Sequence, residues 1–306
     1  PTGLTEDRWV KSVEIVEVND VDSQQGTGRD TVGGRYIFHH MIWGTADLDE
    51  NGERIPSTNT SWPVHEVGRN PDVFDPDGGR LLKAGTYIVS DSVHLHSNGK
   101  DTTGHLEIGF RFHDEGYEPK YERVNVGLGN GVDISIAGNQ KDQELHAYSV
   151  LQQHTKIITF EPHLHAPGER MCLEAIWGYT IETLSCVGYD HNWVRGYGYA
   201  DTAMPLLPKG TILHIVGYMN NTDSNPNIPD PRNWQGSGNR SVTNMFIDLG
   251  MRVSMNDEQF HAEMAKRRDD LNVGPNDHVI GCPLCSAPLV APIAQARDAE
   301  PSRAAD

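Results

Sequence analysis

Fifteen histidines stand in a chain of 306 residues, and six of them fall into three tight groups. Phe38-His39-His40-Met41-Ile42 sets two imidazoles side by side. Val93-His94-Leu95-His96-Ser97-Asn98-Gly99 and Glu161-Pro162-His163-Leu164-His165-Ala166-Pro167-Gly168 each carry His-x-His. Neutral imidazole is the commonest metal ligand in proteins, so metal binding is the first chemistry to weigh. Alternate side chains of a strand share a face, and each His-x-His therefore aims both rings the same way. His39 and His40 are neighbours and point to opposite faces of a regular strand. For both to hold one metal, the strand must end or bulge there; otherwise one ring is buried and the other exposed. The His94–His96 pair equally fits a polar, solvated strand face, or a pair in which one ring only supports a ligand. The His163–His165 pair has apolar surroundings, with Ile157, Ile158 and Phe160 before it and Met171 and Leu173 after it. Two imidazoles on such a buried strand need partners or a metal. The other nine histidines, His65, His105, His113, His146, His154, His191, His214, His261 and His278, are isolated and read as surface or satisfied core residues.

Imidazole suits zinc, copper, iron and nickel. No cysteine adjoins the clusters, and no carboxylate sits at the spacing of an iron facial triad. Zinc and copper are left, and a thioether ligand would favour Cu(I). Several methionines could supply it; among them Met245 lies in a polar stretch, Ser241-Val242-Thr243-Asn244-Met245, an odd setting for a core methionine.

Strands must position these residues. Up to about residue 253 the chain alternates apolar and polar residues in short runs: Val13 to Val18, Thr86 to Val89, His105 to Phe112 and Thr211 to Val216. Gly, Pro, Asn or Asp bound each run. The pattern predicts an all-β antiparallel sandwich, of which jelly rolls are a common form. The glycine-rich stretch Val126–Gly131 separates two strand sets and suggests an N-terminal domain over 1–127 and a second over 128–255. Residues 256–306 form a helix and a tail. Asn256 is the expected N-cap, acidic Asp257 and Glu258 open the helix, basic Lys266, Arg267 and Arg268 come late, and the helix ends near Leu271. The last dozen or so residues are expected to be mobile.

The formal net charge of −18 argues against a nucleic-acid partner, which would be met with Lys and Arg. No apolar run approaches the roughly 18–20 residues of a transmembrane helix. The four cysteines form two local pairs, Cys172 with Cys186 and Cys282 with Cys285, which predicts two disulfides and an oxidising compartment. The CxxC could instead be half of a zinc knuckle, but no second CxxC completes one. The acidic helix and tail could support a homo-oligomer.

The order of these pieces resembles the copper type II, ascorbate-dependent monooxygenase family, which includes peptidylglycine α-hydroxylating and dopamine β-monooxygenases and many bacterial relatives. The likeness spans roughly residues 8–255 and rests on five places. They are His39-His40-Met41, Val93 to Gly99, Pro162-His163-Leu164-His165, Leu207-Pro208-Lys209-Gly210-Thr211, and Met245 after the run Asn225-Pro226-Asn227-Ile228-Pro229-Asp230-Pro231. The resemblance implies two tandem eight-stranded antiparallel jelly-roll domains, each carrying one copper, facing across a solvent cleft. It implies an electron-transfer copper on His39, His40 and His94, with His96 as a supporting residue or alternative ligand. It implies a catalytic copper on His163, His165 and Met245. O₂ and a small-molecule substrate would react there, with ascorbate or another reductant supplying electrons to hydroxylate a C–H bond. Copper and the disulfides point to a periplasmic or secreted protein whose signal peptide has been removed.

The sequence departs from the peptide-hydroxylating members at the substrate clamp. An Arg before their His-x-His and an Asn and a Tyr after their Met become Glu161, Ile247 and Leu249 here. The expected substrate is therefore neutral, apolar or cationic rather than a glycine-extended peptide. Two other readings stay open: a copper-binding or electron-transfer protein of the same fold without oxygenase activity, and a structural or carbohydrate-binding sandwich whose histidines take zinc adventitiously.

Overall fold

The computed structural model describes residues 1–21, 34–129, 134–238, 243–274 and 277–285. The tail expected to be mobile lies beyond them. The fold is all-β with one C-terminal helix, as the alternation predicts.

In the N-terminal half, β1 (Arg8–Asn19) pairs with β5 (Gly104–Phe112) along nearly its whole length. A second sheet is built on β2 (Phe38–Ala46), which pairs with the short β3 (His65–Glu66) and with β4 (Tyr87–Leu95). Val10, Val13, Met41, Trp43, Trp62, Phe74 and Leu82 fill the space between the sheets. Every second residue of β1 and β5 faces this core, which is the period-2 burial of a two-layer packing.

In the C-terminal half, β6 (Gln140–Val150), β11 (Ile212–Asn221), β9 (Gly168–Trp177) and β10 (Thr180–Gly188) lie side by side in one antiparallel sheet. The other layer contains β7 (His154–Ile157) against β13 (Arg252–Met255), and β8 (Pro162–Leu164) against β12 (Phe246–Asp248). Leu164, Met171, Leu173, Leu213, Ile215 and Phe246 lie at the centre of its core. Glu122 and Arg123 already pair with β13, and Leu128 belongs to this core. The chain thus crosses to the second layer set before the glycine-rich stretch.

Helix α1 runs from Asp257 to Asp270. Asn256 caps it in a capping box with Gln259, and Arg267 and Arg268 close its basic end. Phe260 and Met264 pack on Leu206, Val253 and the Cys282–Cys285 disulfide, whose two cysteines are fully buried. The second disulfide, Cys172–Cys186, joins directly paired residues of β9 and β10. Pairing of all four cysteines fits an oxidising compartment. Among the described residues no helix is long and apolar enough to cross a membrane.

Candidate metal centre

The adjacent His39 and His40 lie at a β-bulge. The register of β2 against β4 slips between Phe38 and His40, so an extra residue is inserted at His39. A bulge re-aims one side chain, and both rings here turn toward His94, which pairs directly with His40. Among the described residues, one nitrogen from each of His39, His40 and His94 lies within 4.8 Å of the others, a grouping that could hold a metal ion. His96 lies flat against His39 at a 4.0 Å centroid distance. Burial and the neighbouring imidazoles hold His39 far below the ordinary imidazole range and bring His40 down to about 4. These rings are neutral at pH 7, the form that donates a lone pair to a metal.

His163 sits on β8 and His165 just past its end, both more than nine-tenths buried. The strand is held at several points. Glu161 N donates to Asp248, which also pairs with Arg252; Tyr189 donates to the Leu164 carbonyl; Asn225 donates to Ala166 O at 2.9 Å. His163 pairs with Ile247 and Leu164 with Phe246, and the pairing ends there, one residue short of both His165 and Met245. Directly opposed residues of an antiparallel pair share a face, so His163 and Ile247 lie on one side of this ribbon. Leu249 is half-buried, with its N–H on Glu161 O. The Leu207–Thr211 motif is a turn leading into β11: Gly210 has φ 89°, and Thr211 Oγ1 donates to Pro208 O at 2.7 Å.

The rings of the two histidine groups are linked by His191. Its ring is 4.9 Å from that of His39 and 6.4 Å from that of His165. His39, His40, His94, His96, His191, His165 and His163 thus form one continuous chain of ring contacts. His191 is 6% exposed, and burial with nearby His96 and His163 lowers it to about 4. Its expected reading as an isolated residue therefore fails. His65 is likewise no satisfied core residue: it is buried, and both ring nitrogens lack a hydrogen-bond partner among the described residues. Nothing local marks His191, which lies in the turn Asp190–Trp193 and reaches the cluster only through tertiary packing.

Behind His163 lies a buried ionic network. Glu66 Oε1 is 2.6 Å from His163 Nδ1. Arg69 makes a two-pronged pair with Glu161, one prong at 2.7 Å, and another with Asp72 at 2.7 and 2.9 Å; Glu66 is 3.7 Å away. The side chains of Glu66, Arg69 and Glu161 are at most 6% exposed. Burial pushes Glu161 up to about 7 against the pull of Arg69. Burial disfavours His163 protonation, but Glu66 outweighs it and raises His163 above the ordinary value. Three carboxylates face one guanidinium, so the network favours further positive charge on the imidazole side. Glu66, Arg69, His65 and Trp193 also border a cavity of about 560 Å³, which none of the seven clustered histidines lines.

The donors present fit a metal. His39, His165 and His191 each keep a buried Nδ1 without a hydrogen-bond partner among the described residues, and such groups are rare unless a ligand completes them.

Comparison with protein-family models finds no match, and neither does comparison with curated proteins. A structure of the infectious bursal disease virus Gx strain aligns over 88% of this chain and 75% of its own, at 11% identity and a TM-score of 0.20. That likeness is too slight to carry an argument.

Proposed function

We propose that this chain is an exported two-copper monooxygenase built on two jelly-roll domains, which hydroxylates a C–H bond of a small non-peptide substrate using O₂ and a reductant such as ascorbate. The observation that carries the reading is the convergence of His39, His40 and His94 at the bulge, 4.8 Å or less between ligand atoms, beside a second buried pair, His163 and His165. Three imidazoles can serve both Cu(I) and Cu(II), and that site would pass electrons. His163, His165 and Met245 would hold the second copper, whose chemistry when bound is the activation of O₂. The chain's own residues hold the second pair. Glu66 and the Arg69 network orient His163, Tyr189 and Asn225 pin the strand on either side of His165, and burial keeps both rings largely away from water.

The lost carboxylate clamp supports a substrate without a carboxylate. Glu161 is engaged by Arg69, and the ribbon face beside His163 offers Ile247. An apolar face binds apolar or neutral groups without leaving a buried charge unpaired.

The test is copper analysis joined to oxygen uptake. Two coppers per chain and ascorbate-dependent O₂ consumption stimulated by a panel of small neutral or cationic substrates are expected. Two coppers with no stimulated uptake would point to an electron-transfer or copper-binding role. Zinc in place of copper would overturn the reading.

A further inference from the structure

Glu66 is the only carboxylate hydrogen-bonded to an imidazole of the seven-ring chain among the described contacts, and its placement is unusual in two respects. Its side chain reaches from the N-terminal half to a histidine 97 positions later in sequence, at 2.6 Å, and is only 3% exposed. Its main chain is paired with His40 on β2, so the carboxylate is anchored to the strand that carries the first histidine group. Arg69, three residues on, backs the second oxygen at 3.7 Å and is itself locked between Asp72 and Glu161. Gly68, between Glu66 and Arg69, has φ 87°, and the Trp193 ring lies where a Cβ would come within 2.5 Å. The turn bearing Glu66 and Arg69 is thereby clamped on both sides.

We propose that Glu66 is the positioning residue of the second metal site, accepting the Nδ1 proton of His163 and so turning its Nε2 lone pair to the metal. The inference rests on the reading of His163 as a ligand. The chemistry follows from the two ring nitrogens. A carboxylate at Nδ1 fixes the tautomer, leaves Nε2 as the free donor, and makes that donor more basic. It also supplies negative charge behind a site that takes a dication. Among the described residues His165 has no such partner on its own Nδ1, so the two imidazoles of the pair are not equivalent: His163 is oriented by a carboxylate before metal arrives, and His165 is not.

Cu(II) binding to the full chain tests this on a His39→Ala background, where the second site is read alone. Affinity is measured by chelator competition, and the remote nitrogen of the coordinated imidazole by pulsed electron paramagnetic resonance. Glu66→Ala is expected to weaken Cu(II) about 10–100-fold, the usual effect of removing a ligand's hydrogen-bond partner. The isosteric Glu66→Gln keeps a neutral acceptor, and should cost about three- to tenfold while shifting the remote-nitrogen signal part of the way. Circular dichroism checks folding, and if Glu66→Ala is unfolded then Glu66→Gln decides. Cu(II) affinity within twofold of the parent together with an unchanged remote-nitrogen signal overturns the role of Glu66. If the parent takes no copper, or if His163→Ala binds as well as the parent, the ligand reading has failed and this inference falls with it.

Discussion

Arg69 pairs with Asp72 and Glu161 and lies 3.7 Å from Glu66 where the two halves meet, and Arg69→Met should expose what its loss costs. In the wild type its side chain is 6% exposed and makes four hydrogen bonds, two to Asp72 and two to Glu161. Asp72, at 13% side-chain exposure, can partly rehydrate when the guanidinium is gone, but Glu161, at 3%, cannot. Removing one partner of a buried pair costs about 3–5 kcal/mol, a large share of the roughly 5–15 kcal/mol that holds a domain folded. The loss has a pH signature. Burial already raises Glu161 from its ordinary 4.5 to about 7 with Arg69 present, and without Arg69 it must rise further. A carboxyl raised on folding destabilises the protein as pH climbs from its unfolded value to its folded one, by about 1.4 kcal/mol per pH unit. The wild type stops declining on this account near pH 7, whereas the variant continues. The deficit of Arg69→Met relative to wild type should thus grow by about 2 kcal/mol between pH 7 and 8.5. Urea denaturation followed by tryptophan fluorescence measures it, with Trp193 close to the change. The double change Arg69→Met with Glu161→Leu removes both charges and should recover most of the loss. A deficit under 1 kcal/mol at pH 8.5, or one that shrinks as pH rises, would refute the reasoning.

Met245→Ala should leave copper on His39, His40 and His94 yet abolish turnover; turnover at the wild-type rate would remove Met245 from the ligand set. His39→Ala or His40→Ala should block electron delivery, seen as lost turnover with ascorbate despite copper on the second site. Copper on the first histidine group should survive acid unusually well. Burial, first of all, holds His39 far below the ordinary imidazole range and brings His40 to about 4, and protons compete with a metal only below a ligand's own pKa; Glu66 raises His163, so the second site should lose its copper first. Half the copper should remain after gel filtration at pH 5, and its loss by pH 6 would contradict the burial of these rings. Gly68→Ala puts a Cβ within 2.5 Å of the Trp193 ring at φ 87°, and about 2–4 kcal/mol of stability should be lost in urea denaturation.

What could be read from the chain was whatever has a short period or a local partner. The alternation of Val13–Val18 and His105–Phe112 reappears as β1 and β5. Asn256 caps α1 as its side chain predicts, and each cysteine finds its neighbour. The need for a bulge at His39–His40 followed from strand geometry alone, and the register slip lies there. The residues around the second histidine pair were not legible, for a physical reason. Glu66 and His163 are 97 positions apart, and Arg69 and Glu161 are 92 apart. Nothing in His65-Glu66-Val67-Gly68-Arg69 announces such partners, because the pairing arises from packing one half on the other. Glu161 shows the same limit. In sequence it is an acid facing a substrate pocket, and in the fold its carboxylate is taken up by Arg69. His191 escaped notice because its surroundings are polar and its neighbours come from three separate strands and turns.

The seat of Trp193 on Gly68 has a mechanical consequence. A ring packed on a bare backbone position, with Val194 N–H on the Val67 carbonyl 2.9 Å away, acts as a rivet. The rivet joins the turn that follows Glu66 to the turn that carries His191; Glu66 reaches the second histidine group, and His191 touches both. Sliding one half over the other would shear both turns together. Relative sliding of these two turns is thereby restrained, and rotation of individual side chains is the local motion left around the histidine chain.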